Sequence, residues 1–201
     1  MPDRKSSRPL LISGRIAVVL LWAAFAAGCV LGALYAAGIT ETALQNLRES
    51  LAAYANAAAN GALRQSFGEC LLGFLPWTLA AIILAAFVSS SVTLPLILGL
   101  RGGIIGFLAA SMLMLDGWPA GFYRFGAVCG VKNVLLLLSM AAVIVPNFTR
   151  ALQRLRNRGS NRIYALDRPY LRSAALSLAV MLAGAAADLY LTPALTAWLV
   201  R

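Results

Sequence analysis

Five long apolar stretches constrain what this sequence can fold into. They are residues 16–38, 70–88, 94–115, 122–145 and 173–200. A helix rises 1.5 Å per residue, so about 20 residues cross a hydrocarbon core about 30 Å thick. We therefore predict an all-α, polytopic membrane helix bundle of about five transmembrane helices, with residues 1–201 forming a single integral membrane domain.

The composition agrees with lipid as the main solvent. Hydrophobic residues make up 61% of the chain and charged residues only 12%, and the mean hydropathy is +0.80. This is too little polar surface to close a water-soluble globule of 201 residues. The net charge of +10 lies between the apolar stretches, a distribution typical of membrane topology rather than of nucleic-acid binding.

The basic residues predict the orientation of the spans. The segment before the first span carries Arg4, Lys5, Arg8 and Arg15, and seven arginines between Arg150 and Arg172 face only Asp167. Because cytoplasmic loops collect Lys and Arg, we expect a cytoplasmic N-terminus and a cytoplasmic basic loop at 146–172. Five spans then leave the C-terminus extracytoplasmic. The loop's charge is explained by topology alone, or by binding of anionic lipid.

Residues 39–69 form the only long polar stretch that we expect to be translocated. Its apolar residues Leu44, Leu47, Leu51 and Tyr54 recur at steps of three and four, which predicts an amphipathic helix. One interpretation is that this stripe rests on the protein's own spans or on the lipid surface. The other is that the stripe docks a partner protein.

A cleaved lipoprotein signal is a weaker interpretation of the first span. Residues 26–29 read Ala-Ala-Gly-Cys, which resembles a lipobox. The apolar run continues past Cys29 through Leu34, whereas the apolar region of a signal peptide normally stops near its cleavage site. We therefore interpret the first span as an uncleaved anchor.

The residue inventory argues against an enzyme. The chain has no histidine, which is the commonest general base and metal ligand. Cys29, Cys70 and Cys129 lie in or at the edge of apolar runs, where thiols behave as small hydrophobes. Asp188 is the sole acid well inside a span, which disfavours an intramembrane aspartyl protease. We expect no catalytic residues, no cofactor and no metal.

Glycines at four-residue spacing predict close helix packing. In the third span Gly99 pairs with Gly103 and Gly102 with Gly106, and two further pairs are Gly28 with Gly32 and Gly126 with Gly130. Without side chains, neighbouring backbones can approach closely inside a membrane.

Four ionisable residues fall in or near the spans: Arg101, Arg124, Lys132 and Asp188. A charge at bilayer depth costs about 3 kcal/mol on insertion scales, so such residues usually face the bundle interior. Lys132 and Asp188 both belong to the outer half, and we predict that they make contact, directly or through Asn133 or water. Arg101, nearer the cytoplasmic end, is expected to snorkel to the interface. A structural pair and an ion or proton path both remain open.

Three motifs carry a family resemblance. The last span contains Asp188, Tyr190 and Pro193 in the run Asp-Leu-Tyr-Leu-Thr-Pro. The third span contains Leu-Pro at 94–95 and Gly-Leu-Arg-Gly-Gly-Ile-Ile-Gly-Phe at 99–107. The fourth span contains Asn133. The chain resembles the stage II sporulation protein M family of five-span membrane proteins. It departs from the family pattern at Val131-Lys132, where Pro-Gln is expected, and at Asp188, where Glu is usual.

The resemblance implies a function in endospore formation. It implies a multi-pass protein of the mother-cell or septal membrane that anchors the peptidoglycan-degrading stage II sporulation proteins P and D during forespore engulfment. The alternative is a subunit of a membrane transporter or permease, favoured by intramembrane charge and by Pro76 and Pro193 as helix breaks. Against the transporter, no inverted repeat is evident, and the polar span residues cluster in separate halves of the bilayer.

Overall fold

The computed structural model describes residues 7–60, 66–87, 90–156 and 167–200. Every regular element in these ranges is helical. The elements are α1 (Ser7–Ala37), α2 (Glu41–Ala59), α3 (Phe67–Ala86), α4 (Ser90–Asp116), α5 (Ala120–Phe125), a π-helical turn (Gly126–Gly130), α6 (Val131–Arg156) and α7 (Arg168–Val200).

Five helical segments are long and apolar enough to cross a membrane, as predicted. They are Gly14–Ala37, Phe67–Ala86, Ser90–Asp116, Ala120–Gln153 and Arg168–Trp198. Large apolar side chains such as Leu31 and Trp198 are 67% and 75% exposed on the bundle surface. So much exposed apolar surface is unfavourable in water, whereas lipid solvates it. The chain is a multi-pass membrane protein.

The bundle consists of two packed groups of helices. In the first group, α1 and α4 run parallel, with Gly28 facing Gly99 and Gly32 facing Gly103. In the second, α6 runs antiparallel to α7, and α3 packs against both. Large buried side chains fill the second group, including Phe74, Leu136 and Met140.

We name the two ends of the bundle by residues that lie there. The Trp118 end holds the end of α1, α2, the α4–α5 turn and the end of α7. The Arg150 end holds the end of α3, the start of α4 and the end of α6. The sequence stretches that carry the two basic segments therefore reach the same end of the bundle. Residues 1–6, with Arg4 and Lys5, lie outside the described residues, as do residues 157–166 of the predicted basic loop.

The helices extend beyond the spans predicted from hydropathy. The fourth span was expected to end near residue 145, but α6 continues through Pro146 to Arg156, and α7 already begins at Arg168. Much of the predicted loop 146–172 is therefore helical. These helical turns contain polar residues because the turns lie near the end of the bundle. Hydropathy does not predict helix there.

Prolines lie inside four helices without ending them. Pro76, Pro95, Pro146 and Pro193 are all interior positions, so the interpretation of Pro76 and Pro193 as helix breaks is wrong. Of the turn predicted around Ser89–Ser91, Ser90 and Ser91 belong to α4, and Ser89 lies outside the described residues. Neighbouring helices and side-chain donors can satisfy the carbonyl that a proline leaves free, which for Pro146 is that of Ala142. The next carbonyl, that of Val143, accepts from Asn147 Nδ2 at 2.7 Å.

The start of α3 has a sequence signal that hydropathy misses. Ser66 caps the helix by accepting from the Glu69 N–H at 3.2 Å, and the Glu69 carboxylate accepts from the Ser66 N–H at 2.9 Å. This reciprocal pair is a capping box. It begins the helix at Phe67, three residues before the predicted span.

The polar segment forms the helix predicted for it and lies at the Trp118 end. α2 packs mainly on α7. The Arg48 guanidinium also donates to the Leu115 carbonyl in the last turn of α4 at 2.8 Å. Because the last carbonyls of a helix are unpaired and carry negative partial charge, this cation stabilises the junction.

Candidate intramembrane charge cluster

Four helices bring charged and polar side chains together at mid-depth in the bundle. We define the charge cluster as Arg101 of α4, Lys132 and Asn133 of α6, Asp188 of α7, and Trp77 of α3. At 1.5 Å per residue, Lys132 is ~18 Å from the start of α5 and Asp188 is ~18 Å from the end of α7. Since α5, the π-helical turn and α6 form one continuous helical segment, the cluster lies far from both ends of the bundle.

A π-helical turn precedes the two α6 residues of the cluster. Residues Gly126–Gly130 are π-helical, and Val131 begins α6. A π turn inserts an extra residue and changes which face the following residues occupy; such turns are frequent at functional sites. The turn thus sets the direction in which Lys132 and Asn133 project. Hydropathy carries no signal for it.

The predicted contact between Lys132 and Asp188 is present. Lys132 Nζ lies 3.7 Å from Asp188 Oδ2, and the Thr192 hydroxyl donates to Asp188 Oδ1 at 2.5 Å. Asp188 is only 2% exposed. One oxygen of this carboxylate therefore faces a cation and the other a hydroxyl, so the buried charge is compensated on both sides.

Arg101 is buried, which corrects the expectation that it snorkels. It is 8% exposed, its guanidinium donates to Asn133 Oδ1, and its charged carbon lies 5.1 Å above the Trp77 ring. Snorkelling requires a free path to an interface. Here an amide and an aromatic face offer partners inside the bundle, and Leu100 rather than Arg101 occupies the surface, at 58% exposure.

Gly73 makes room for the ammonium group of Lys132. A Cβ atom at this position of α3 would lie 2.6 Å from Lys132 Nζ. The adjacent Phe74 ring has its centroid 6.0 Å from the same nitrogen. Lys132 is therefore held between the backbone of α3 and the carboxylate on α7.

Two further polar levels lie between the cluster and the Arg150 end, and the sequence analysis missed them. The Thr78 and Ser139 hydroxyls are 2.8 Å apart, and Ser177 donates to the Ser139 carbonyl at 2.7 Å. Nearer the Arg150 end, Asn147 donates to the Ser173 hydroxyl at 3.1 Å. Each level is hydrogen-bonded within itself.

Because of these levels, the polar residues of the spans are not confined to separate halves of the bilayer, as the sequence had suggested. Lys132, Ser139 and Asn147 recur on α6 at steps of seven and eight, a spacing that could have indicated one polar seam facing α7. Buried apolar residues, including Leu136 and Val143, separate the levels. The seam is thus a series of closed pairs rather than a continuous polar surface.

The predicted glycine interface joins α1 to α4. Cβ atoms at Gly28 and Gly32 would overlap the carbonyl groups of Gly99 and Gly103, and one at Gly106 would overlap that of Cys29. Gly102 meets the Phe25 carbonyl in the same way. Backbones this close leave no space for any side chain, which confirms the prediction for these glycines.

The third glycine pair does not pack as expected. No atom lies within 4 Å of a Cβ placed at Gly126, and the nearest atom to one at Gly130 is the Phe125 carbonyl oxygen, at 3.6 Å. Because Phe125 belongs to the same helical segment, the side-chain directions of these two glycines face no neighbouring helix. They bound the π-helical turn instead.

The apolar stripe of α2 is half-buried. Leu44, Leu47, Leu51 and Tyr54 are all of intermediate exposure, whereas Gln45, Asn46 and Glu49 on the opposite face are exposed. Since α2 packs on α7, the stripe rests at least partly on the protein's own spans. Partner docking through the four stripe residues stays a prediction.

Of the other predicted residues, Tyr190 and Arg124 lie apart from the cluster. Tyr190 is 74% exposed on the bundle surface, and Pro193 is an interior position of α7. Arg124 forms a salt bridge with Asp116 at 2.9 Å near the Trp118 end. None of the three cysteines forms a disulfide bond, and no group of potential metal ligands occurs among the described residues.

The chain matches no protein-family model, no curated protein and no solved structure.

Proposed function

We propose that this protein is a multi-pass membrane anchor that holds peptidoglycan-degrading partners at the membrane during forespore engulfment. The observation that carries the proposal is the convergence of the three motifs that resemble the sporulation family. Arg101 of the third span contacts Asn133 of the fourth, and Asp188 of the last span contacts the adjoining Lys132. Motifs separated by up to 87 residues thus meet in one structural unit.

The distribution of charge supports the orientation that an anchor requires. The basic segments lie at or lead to the Arg150 end, where Arg150 also approaches Asp167 at 4.0 Å. By the positive-inside rule this end faces the cytoplasm. α2 at the Trp118 end then lies outside the membrane, on the side of the cell wall.

The partners implied by the resemblance are the stage II sporulation proteins P and D. In this proposal α2 is the surface on which they dock. An anchored hydrolase is confined to two dimensions, so its effective concentration at the wall rises without any chemistry from the anchor. The protein itself acts as a scaffold and not as the hydrolase.

A transporter subunit is the second candidate, and the charge cluster is what favours it. Ionisable residues deep in a membrane often mark ion or solute paths. The apolar layers around Leu136 and Val143 favour a scaffold instead, because a solute path needs polar partners through its full length.

Deletion of the gene in its native host tests the proposal, with microscopy of sporulating cells. Arrest at a flat or bulging septum is the expected result, and normal engulfment would overturn it. Complementation with variants then locates the docking face: Leu47→Glu alters the stripe, and Gln45→Glu adds the same charge to the opposite face. We expect Leu47→Glu to lose co-purification of the hydrolase and Gln45→Glu to retain it.

A further inference from the structure

The interior of the bundle carries more positive than negative charge. Arg101 and Lys132 are two cations in the charge cluster, and Asp188 is the one carboxylate in contact with either of them among the described residues. We propose that Arg101 and Lys132 form a binding site for one small inorganic anion, of the halide or nitrate class. This site is independent of the partner-docking function proposed above.

The partners of Arg101 leave its charge uncompensated. A guanidinium has five N–H donors, yet the contacts found for Arg101 are the neutral amide of Asn133 and the Trp77 ring. Its Nε is buried without a hydrogen-bond partner. A buried charge that lacks a counter-charge is costly, and a buried unsatisfied donor adds to that cost. An anion beside Nε would remove both costs.

Lys132 supplies the second positive group. Its distance of 3.7 Å to Asp188 is longer than the 2.7–2.9 Å typical of a charge-assisted hydrogen bond. The ammonium has three donors, and Asp188 Oδ1 is already occupied by Thr192. The Lys132 side chain is 35% exposed. Lys132 can therefore accept a further anionic partner, and it forms the outer side of the site, with Arg101 at the inner side.

The depth of Arg101 indicates the class of ligand. Arg101 lies ~16 Å along α4 from Ser90 and ~22 Å from Asp116. Lipid phosphates lie at the membrane interfaces, so a headgroup does not reach this level. Gly73 and Phe74 pack close to the ammonium, which limits the space. A single small ion satisfies both constraints.

Trp77 provides a built-in reporter, because its ring stacks on the Arg101 guanidinium. The other three tryptophans, Trp22, Trp118 and Trp198, are 64–75% exposed on the surface. Replacing these three by Phe leaves Trp77 as the single fluorophore. The full chain in nanodiscs of neutral lipid is then titrated with iodide, which quenches tryptophan on contact.

We expect iodide to quench Trp77 saturably. Chloride or nitrate should reverse the quenching, and gluconate should not. Arg101→Gln should abolish the saturable quenching. Arg124→Gln, which removes an arginine near the Trp118 end, should retain it. Quenching that rises linearly with iodide, or that is equal in Arg101→Gln, would overturn the site. Repeating the iodide titration in nanodiscs of anionic lipid tests whether the ligand is a lipid headgroup instead of an inorganic ion. If the anionic lipid competes with iodide, the site binds a headgroup and our assignment is refuted.

A second measurement does not depend on the variant folding. The unmodified protein is melted in neutral lipid at matched ionic strength, in chloride and in gluconate. A ligand that binds only the folded state raises the melting temperature with its concentration. We expect a rise with chloride alone; identical melting temperatures in the two salts would contradict the proposal.

Discussion

Lys132 and Asp188 lie 3.7 Å apart across the α6–α7 interface, although 55 residues separate them in the chain. Asp188 is almost fully buried, while Lys132 keeps about a third of its side chain exposed. The pair is therefore asymmetric: removing the lysine leaves an enclosed carboxylate, and removing the carboxylate leaves a cation on a flexible side chain that is partly exposed at the surface of the bundle.

We expect Lys132→Met to destabilise the fold more than Asp188→Asn does. Breaking a buried pair costs about 3–5 kcal/mol when the remaining charge is enclosed, and less when a flexible side chain can carry that charge toward the membrane interface. The two changes should be strongly non-additive in a double-mutant cycle, measured by denaturation in detergent. If the two single effects simply add, the residues do not act as a pair.

Gly28→Ala should disrupt the α1–α4 interface, because the new methyl group overlaps the Gly99 carbonyl. Overpacking of this kind costs about 1–3 kcal/mol, and backbone cannot move aside as a side chain can. Gly126→Ala is the matched control: its surroundings are open, its backbone is right-handed helical, and a small gain from helix propensity is expected. Equal melting temperatures for both variants would refute the interface.

Tyr170→Phe removes a hydrogen bond between α7 and α3. The Tyr170 hydroxyl donates to the Ile82 carbonyl at 2.9 Å, and a hydrogen bond of this kind contributes about 1 kcal/mol. Tyr190→Phe is the control, since Tyr190 lies 74% exposed on the same helix. Thermal unfolding should separate the two variants by several degrees; a larger loss in Tyr190→Phe would contradict the assignment.

The orientation of the bundle can be read by cysteine labelling. In a background without Cys29, Cys70 and Cys129, Ser50→Cys places a thiol on the exposed face of α2, and Arg172→Cys places one at an exposed position near the Arg150 end. A membrane-impermeant maleimide added to intact cells should label the first and spare the second until the cells are opened. The opposite pattern would invert the topology.

The sequence by itself determined the class of fold and much of the packing. Apolar length predicts a span because the bilayer sets one thickness, and glycine spacing predicts close approach because only a missing side chain permits it. The Lys132–Asp188 contact was also predictable, since burial in lipid compels a lone acid to find a cation at its own level.

Tertiary structure alone decided the environment of Arg101, the position of α2 and the real ends of the helices. Each depends on which neighbour is present: Arg101 stays inside because Asn133 and Trp77 are there, and α2 lies at the Trp118 end because α7 and the last turn of α4 contact it there. The local sequence predicts which environment is favourable for a residue. The surrounding helices determine which contacts are available to it.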